Sequence, residues 1–356
     1  MRFHVVGLPH TNTTAEFSSC AFTNKVIYFC KMMRDRGHEV YLYATDYNEA
    51  SVTEHIPCLT EYFRKRLVGD RHYTEANWDP NQKPWRYFLN AVIAEIDERI
   101  QPLDVICVIG GASMSSIADA FPMNPTVEFG VGYGGVFSKY RVYESHAWRH
   151  MHMGAQGHIT QVDGNFADAV IPGYLDPALF PQGTGSGDYF LYIGRLIDRK
   201  GYQIAVDVCK HLNVPLVMAG PGKPPAGVEY VGVVGPEDRA KLMGKAKAVF
   251  VPTLYIEPFG NVNIEAQACG TPVITTDWGA FTETVIQGVT GWRCNSLNEF
   301  VQAAKNVDQF DRDLIRRTAL SRYSLDVVGL QYEQYFIRLL TMLTKGWDYI
   351  HAQTDT

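Results

Sequence analysis

The sequence predicts an α/β protein built from two parallel-sheet domains, and three observations carry that prediction. Its 356 residues are too many for one ordinary core, because single domains usually hold roughly 100 to 200 residues. Short apolar runs alternate with longer segments of helical period, which is the βαβ order of a parallel sheet. A glycine- and proline-dense stretch near the middle then separates two such series.

The elements follow in order. Phe3 to Gly7 reads as a first strand, and Thr23 to Arg36 places Val26, Cys30 and Met33 on one helical face before Gly37 stops it. Glu39 to Ala44 alternates as a second strand, and Asp104 to Ile109 is a nearly continuous apolar run ending in Gly110-Gly111, with a further strand at Thr126 to Phe129. Between Ala50 and Pro84 no period holds, so this stretch, with Tyr62, Phe63, Trp78 and Trp85, reads as a variable insertion. The run Arg64-Lys65-Arg66 inside it reads as a solvated helix face. Gly173 to Gly187, with Pro181-Gln182-Gly183-Thr184-Gly185-Ser186-Gly187, reads as a hinge or linker. Strands resume at Tyr189 to Ile193, Pro215 to Ala219, Ala248 to Val251 and Pro272 to Thr275. Val327 to Leu343 is an amphipathic helix, followed by Trp347 and Tyr349, that returns to the first domain. The predicted boundaries are a first domain over 1–172, a linker over 173–187, a second domain over 188–326, and the terminal helix over about 327–356.

Composition excludes several classes of function. A formal charge of −6 disfavours a protein whose affinity comes from covering phosphate backbones, so nucleic acid is not the expected partner. The cysteines Cys20, Cys30, Cys58, Cys107, Cys209, Cys269 and Cys294 are odd in number and lack CxxC spacing. They predict reduced thiols rather than a disulfide framework or zinc site. No run approaches a membrane span, which leaves at most peripheral membrane contact and a cytoplasmic location.

Two motifs carry chemistry. In YIGRLIDRKG, Tyr192 to Gly201, a strand runs into Gly194-Arg195, and a second cation, Lys200, opens the next helix. Cations at a strand's carboxyl end suit a diphosphate, with solvent-facing basic residues as the alternative. In IEPFGNVNIEAQACGTPVI, Glu257 lies in a loop and Glu265 within a helix that Asn261 caps and Gly270 stops. A loop carboxylate there can grip a sugar hydroxyl, and one along the helix can accept both hydroxyls of a ribose. Ordinary surface glutamates are the alternative. The one Asp-x-Asp string, Asp311-Arg312-Asp313, reads as a solvated helix face rather than a metal site.

Taken together, these motifs resemble the retaining GT-B glycosyltransferases of family 4, over roughly Ala169 to Gly291. Glu257 and Glu265 match the family's Glu-x7-Glu signature, Gly194, Arg195, Lys200 and Gly201 its GR…KG element, and Ala268 to Ile274 its ACGTPVI-type run. Ile171, Pro172, Gly173, Asp176 and Phe180 echo its interdomain element, from which Tyr174 and Leu175 depart. The resemblance implies two Rossmann-like domains facing across a cleft and a metal-independent transfer of a hexose-type sugar from a UDP or GDP sugar. It places Arg195 and Lys200 on the diphosphate and Glu265 on the ribose. Glu257 and the backbone of Phe259, Gly260 and Asn261 would hold the sugar, and Val231 to Val234, Val233 among them, would hold the base. No cofactor is implied beyond the nucleotide sugar. The acceptor is a saccharide, a lipid-linked glycan or another hydroxyl, and no motif assigns an oligomeric state.

The first domain departs from the family. Of its loop Gly7-Leu8-Pro9-His10-Thr11-Asn12 only Gly7 fits a diphosphate-binding turn, with His10, Thr11 and Asn12 as side-chain donors or a plain polar loop. After Glu128 comes Gly130-Val131-Gly132-Tyr133-Gly134-Gly135, where relatives place a histidine. Tyr133 and His146 are the acceptor-side candidates, with His150, His152 and His158 nearby in sequence. A nucleotide-sugar epimerase or hydrolase, a phosphorylase-like enzyme and an inactive scaffold are the competing readings. A dinucleotide oxidoreductase lacks its GxGxxG after the first strand.

Overall fold

The computed structural model describes residues 1–18, 20–76, 79–155 and 165–346. They form two compact units. The first comprises Met1–Tyr143 with the described parts of 161–171 and 328–356, and the second comprises 144–160, likewise as described, with Pro172–Val327. Helix His146–Ala155, which falls inside the boundary predicted for the first domain, counts with the second unit.

The first unit holds strands β1 (Arg2–Val6), β2 (Glu39–Thr45), β3 (Glu54–Leu59), β4 (Val105–Val108), β5 (Thr126–Glu128), β6 (Tyr140–Tyr143) and β7 (Ala169–Val170). They pair in the order β3-β2-β1-β4-β5-β6-β7, all parallel. β3 and the helix Glu61–Val68 lie where the sequence predicted an irregular insertion, and a further helix, Lys83–Asp97, begins at its end. The strand EHIPCL hides its period because it sits at the sheet edge, where Pro57 is tolerated and polar residues face water. Arg64, read as solvated, is buried and pairs with Glu61, while Lys65 and Arg66 are exposed.

The helix Leu325–Lys345 contributes its residues from Val328 onward to the first unit. Phe336 packs on Phe3 at 4.7 Å, and the Tyr332 hydroxyl donates to the Phe129 carbonyl at 2.7 Å. Glu333 takes the Arg36 guanidinium and lies 3.0 Å from His38 Nε2. Trp347 and Tyr349 lie outside the described residues.

The second unit holds β8 (Phe190–Ile193), β9 (Leu216–Ala219), β10 (Glu229–Tyr230), β11 (Val249–Val251), β12 (Val273–Thr276) and β13 (Gly291–Cys294). Their order is β10-β9-β8-β11-β12-β13, again parallel throughout. Successive strand residues point to opposite faces. Leu191, Val217, Val249 and Val273 join the core under helices Pro236–Lys245, Asn261–Ala268 and Arg312–Tyr323. Phe190, Tyr192, Met218, Phe250 and Ile274 join the core under Tyr202–Leu212 and Leu297–Lys305.

The stretch 173–187, predicted as a hinge, is packed onto this unit. Gly183, Gly185 and Gly187 donate their N–H groups to the carbonyls of Cys269, Gly244 and Lys245 at 2.8 to 2.9 Å. Here the glycines serve close backbone contact: a Cβ on Gly183 would stand 2.2 Å from Gly244. Asp311-Arg312-Asp313 is also not simply solvated. Asp311 caps its helix by accepting from Asp313 and Leu314, and Arg312 bonds Thr271 Oγ1 and the carbonyls of Ala246 and Lys247.

Candidate functional site

In an open parallel sheet, ligands gather at the carboxyl ends of the strands where the strand order reverses. In the second unit that point lies between β8 and β11. β8 runs into Gly194-Arg195 and the turn Asp198–Lys200, while β11 runs into the loop Pro252 to Gly260. Both sequence motifs therefore meet at the place the topology singles out.

Lys200 Nζ donates to Glu257 Oε2 at 2.6 Å, and Thr253 Oγ1 donates to the same oxygen at 3.2 Å. The Tyr255 ring lies under Arg199 at 4.1 Å and Lys200 at 4.9 Å. Gly201 makes this approach possible. Its φ is +66°, and a Cβ there would stand 1.9 Å from the Pro252 carbonyl oxygen. Arg195 is exposed, and its guanidinium makes no hydrogen bond or ion pair among the described residues. The site thus presents one cation already paired and one that is not.

Helix Asn261–Ala268 begins one residue earlier than predicted. Gly260, at φ +86°, is its N-cap and Asn261 its first residue. A side-chain cap is not needed there, because Gly260 reaches a left-handed conformation without cost and its carbonyl accepts from Asn263 at 3.0 Å. The other end is as predicted. Gly270, at φ +72°, donates to Gln267 O while Thr271 donates to Ala266 O, the paired bonds of a Schellman stop. The Phe259 side chain is buried edge-on against Tyr323 at 5.6 Å, which leaves its backbone as the part able to meet a ligand.

Glu265 is buried on that helix, and Arg239 Nη2 lies 3.1 Å from its Oε1. Its Oε2 has no hydrogen-bond partner among the described residues. Burial pushes the Glu265 carboxyl pKa up, and the Arg239 charge opposes that shift. Val233 and Val231 are exposed beside β10, whose strip is tied down by Val231 N–H to Met218 O and Gly220 N–H to Gly232 O.

Ser145 holds the site loop, Glu283 caps the helix that follows Ser145, and neither was foreseen. Ser145 Oγ donates to the Pro258 carbonyl at 2.7 Å and accepts from Trp148 N–H at 3.0 Å, capping helix His146–Ala155. The Glu283 carboxylate accepts from the N–H groups of His146 and Ala147 at 2.9 and 2.8 Å. A serine directly before a helical run was the available signal for Ser145. Glu283 and Arg239 carried none, since each acts on a residue far away in sequence. His146 is exposed beside this clamp, His150 is exposed, and His152 packs on Trp148. His158 lies outside the described residues.

The first-unit candidates fare differently. The Gly7 N–H is taken by Tyr43 O at 2.8 Å, and Gly7 serves close packing, since a Cβ would stand 2.9 Å from Ala44 Cβ. The amide expected on a diphosphate is therefore committed to the sheet. Thr11 Oγ1 bonds Thr23 Oγ1, and Asn12 bonds Thr45 and Glu61, so these donors belong to the fold. His10 is buried, with its pKa lowered to about 4 by burial and by Arg64. Tyr133 is exposed in the loop after β5. That loop returns to Glu128, whose Oε2 accepts from Phe137 and Ser138 N–H and whose pKa burial raises to about 7.

Residues 184–326 match the family Glycosyl transferases group 1. Glycogen synthase of Mycobacterium tuberculosis is 32% identical over 148 residues, covering 35% of this chain and 35% of that protein. Phosphatidyl-myo-inositol mannosyltransferase of Mycobacterium leprae is 26% identical over 182 residues, covering 45% and 49%. The chain thus spans less than half the length of these curated relatives. Among solved structures, AviGT4, a glycosyltransferase involved in avilamycin A biosynthesis, superposes with a TM-score of 0.66 at 19% identity, over 96% of this chain and 98% of that one. Anabaena Alr3699/HepE in complex with UDP-glucose gives 0.66 at 16%, over 94% and 98%. These likenesses establish the fold, two parallel-sheet α/β domains of the GT-B kind.

Proposed function

We propose that this protein is a glycosyltransferase that moves a hexose-type sugar from a nucleotide-diphosphate sugar to a saccharide, lipid-linked or other hydroxyl acceptor, with retention of anomeric configuration. The observation that carries the reading is the cluster at the second unit's switch point. The unpaired Arg195, the Lys200–Glu257 pair at 2.6 Å and the half-paired Glu265 stand there on adjoining strand ends and one helix. The match over 184–326 covers all of these residues.

In this reading Arg195 and Lys200 neutralise the diphosphate, and Glu265 accepts from the ribose. Glu257 orients the transferred sugar, with the backbone of Phe259 to Asn261 at the helix N-terminus beside it. Val233 and its neighbours seat the base. Charge grows on the departing phosphate as the glycosidic bond breaks, and fixed cations and helix N–H groups stabilise that charge in advance. The acceptor's proton passes to a phosphate oxygen on the same face, so no strong protein base is required. His146 and Tyr133 are the acceptor-side candidates.

Proposed donors are UDP or GDP sugars, used without a metal or resident cofactor; a solved relative in the same fold carries UDP-glucose. The proposed location is cytoplasmic, with at most peripheral membrane contact. All seven cysteines are buried, and no described helix is long and apolar enough to cross a membrane.

The test is a thermal-shift and calorimetric titration against UDP, GDP, ADP and their parent sugars, repeated on Glu265→Ala and Arg195→Ala. One nucleotide is expected to raise the melting point of the wild type, with a smaller shift in both variants. Absence of any nucleotide binding would remove the reading and favour an inactive scaffold.

A further inference from the structure

Arg239 and Glu265 form an incomplete pair. Arg239 comes from helix Pro236–Lys245, lies over the Phe180 ring at 5.9 Å, and meets Glu265 with Nη2 3.1 Å from Oε1. Both side chains are largely enclosed, 18% and 8% exposed. Arginine–carboxylate pairs frequently set the guanidinium fork against both carboxylate oxygens. Arg141 and Asp168 do this in the first unit, at 2.9 and 3.1 Å. In the Arg239–Glu265 pair, Glu265 Oε2 and Arg239 Nε are both buried without a hydrogen-bond partner among the described residues.

A buried acceptor and a buried donor left unanswered on one ion pair are costly and call for a reason. Oε2 needs a donor and Nε needs an acceptor. A hydroxyl is both at once, so two neighbouring hydroxyls answer the two atoms together. Neither a phosphate nor a second cation can do so, since the first only accepts when ionised and the second only donates.

We propose that Arg239 is a specificity residue of the nucleotide site, forming with Glu265 a clamp for vicinal hydroxyls. Oε2 accepts from one hydroxyl, and Nε donates to a hydroxyl oxygen. The proposal rests on the donor-site reading, because the ribose of a nucleotide is the vicinal diol at hand. Arg239 has a second effect through Glu265: its charge opposes the upward shift that burial imposes on the carboxyl pKa.

The experiment titrates wild type, Arg239→Gln and Arg239→Lys by calorimetry with UDP, GDP and ADP and with their 2′,3′-dideoxy counterparts. Wild type is expected to prefer the ribonucleotide that binds over its dideoxy form by about tenfold or more, the scale of a hydrogen bond to a charged group. Arg239→Gln should weaken the ribonucleotide by about tenfold and leave the dideoxy form within about twofold. Arg239→Lys, which restores the charge but not Nε, should fall between.

Equal weakening of both ligands would overturn the proposal and leave Arg239 a holder of the fold, as would an unchanged ribonucleotide affinity. Thermal transitions identify folded variants, and Arg239→Lys carries the comparison should Arg239→Gln not fold. If wild type binds no nucleotide, the donor reading falls and the clamp with it. If it binds but ignores the hydroxyls, only the clamp falls.

Discussion

Lys200 Nζ and Glu257 Oε2 stand 2.6 Å apart, the first on the turn that follows β8 and the second on the loop that follows β11. The residue proposed to meet the diphosphate is therefore held by the residue proposed to meet the sugar. Each is mostly enclosed, 21% and 10% exposed in the side chain, so the pair fixes both loops before any ligand arrives.

Glu257→Gln should separate affinity from turnover. Without its carboxylate partner Lys200 is free to turn to the phosphates, so nucleoside diphosphate binding should tighten by about two- to tenfold. Sugar transfer should fall by about 10²-fold or more, because an oriented, charge-assisted contact at the reacting sugar is gone. Calorimetry with UDP or GDP and a steady-state transfer assay measure the two effects. A parallel loss of both would mean that Glu257 only maintains the loop.

Gly201→Ala should cost stability in the second unit. The substitution places a methyl 1.9 Å from the Pro252 carbonyl at φ +66°, so the backbone must shift, at about 2 to 4 kcal/mol. Chemical denaturation followed by far-ultraviolet dichroism reads this. Diphosphate affinity should drop alongside, since Lys200 is the residue before Gly201.

Ser145→Ala and Glu283→Ala each remove acceptors for the first N–H groups of helix His146–Ala155. Each should destabilise by about 1 to 2 kcal/mol. Ser145 also fixes the Pro258 carbonyl, so its loss should lower transfer activity more than the loss of Glu283 does. Because the two caps hold one helix, the double variant should lose less than the sum of the single losses. Strict additivity in the double-mutant cycle would show that they act on separate elements.

Acid should unfold the first unit through its buried histidines. The pKa of His10 is lowered to about 4 in the folded chain against 6.5 unfolded, and that of His4 is also lowered by burial. Between those values the unfolded chain binds more protons, so stability falls as pH drops from 6.5 to 4 and is fully present above 6.5. The His10 contribution is on the order of 3 kcal/mol across that window. Urea midpoints measured from pH 4 to 8 should show the slope, and His10→Gln should flatten it.

Much of the second unit was legible because its strands are buried on both faces. FLYI of β8, LVMA of β9 and VITT of β12 are continuous apolar or β-branched runs between helices. The first unit's edge was not, since β3 answers to solvent and carries Pro57, and short strands such as β7 and β10 hold two residues each. At the site, the cations and carboxylates could be named because their chemistry is local to a motif. Arg239 and Glu283 could not, because their meaning comes from partners brought near by folding. The glycines between Gly183 and Gly187 misled in a different way. Glycine marks freedom in an isolated chain, but here it marks the places where two backbones touch.

The terminal helix imposes an order on biosynthesis. Phe3, Phe29 and Phe129 are made some two hundred or more residues before Phe336 and Tyr332, which pack against them. The second unit, by contrast, is complete once Val327 has been made. A nascent chain therefore carries a finished second unit behind an unfinished first one, with aromatic surface exposed to chaperones until the final helix closes over it. A chain truncated after Val327 and released from the ribosome should be protease-resistant in the second unit and still cleaved in the first.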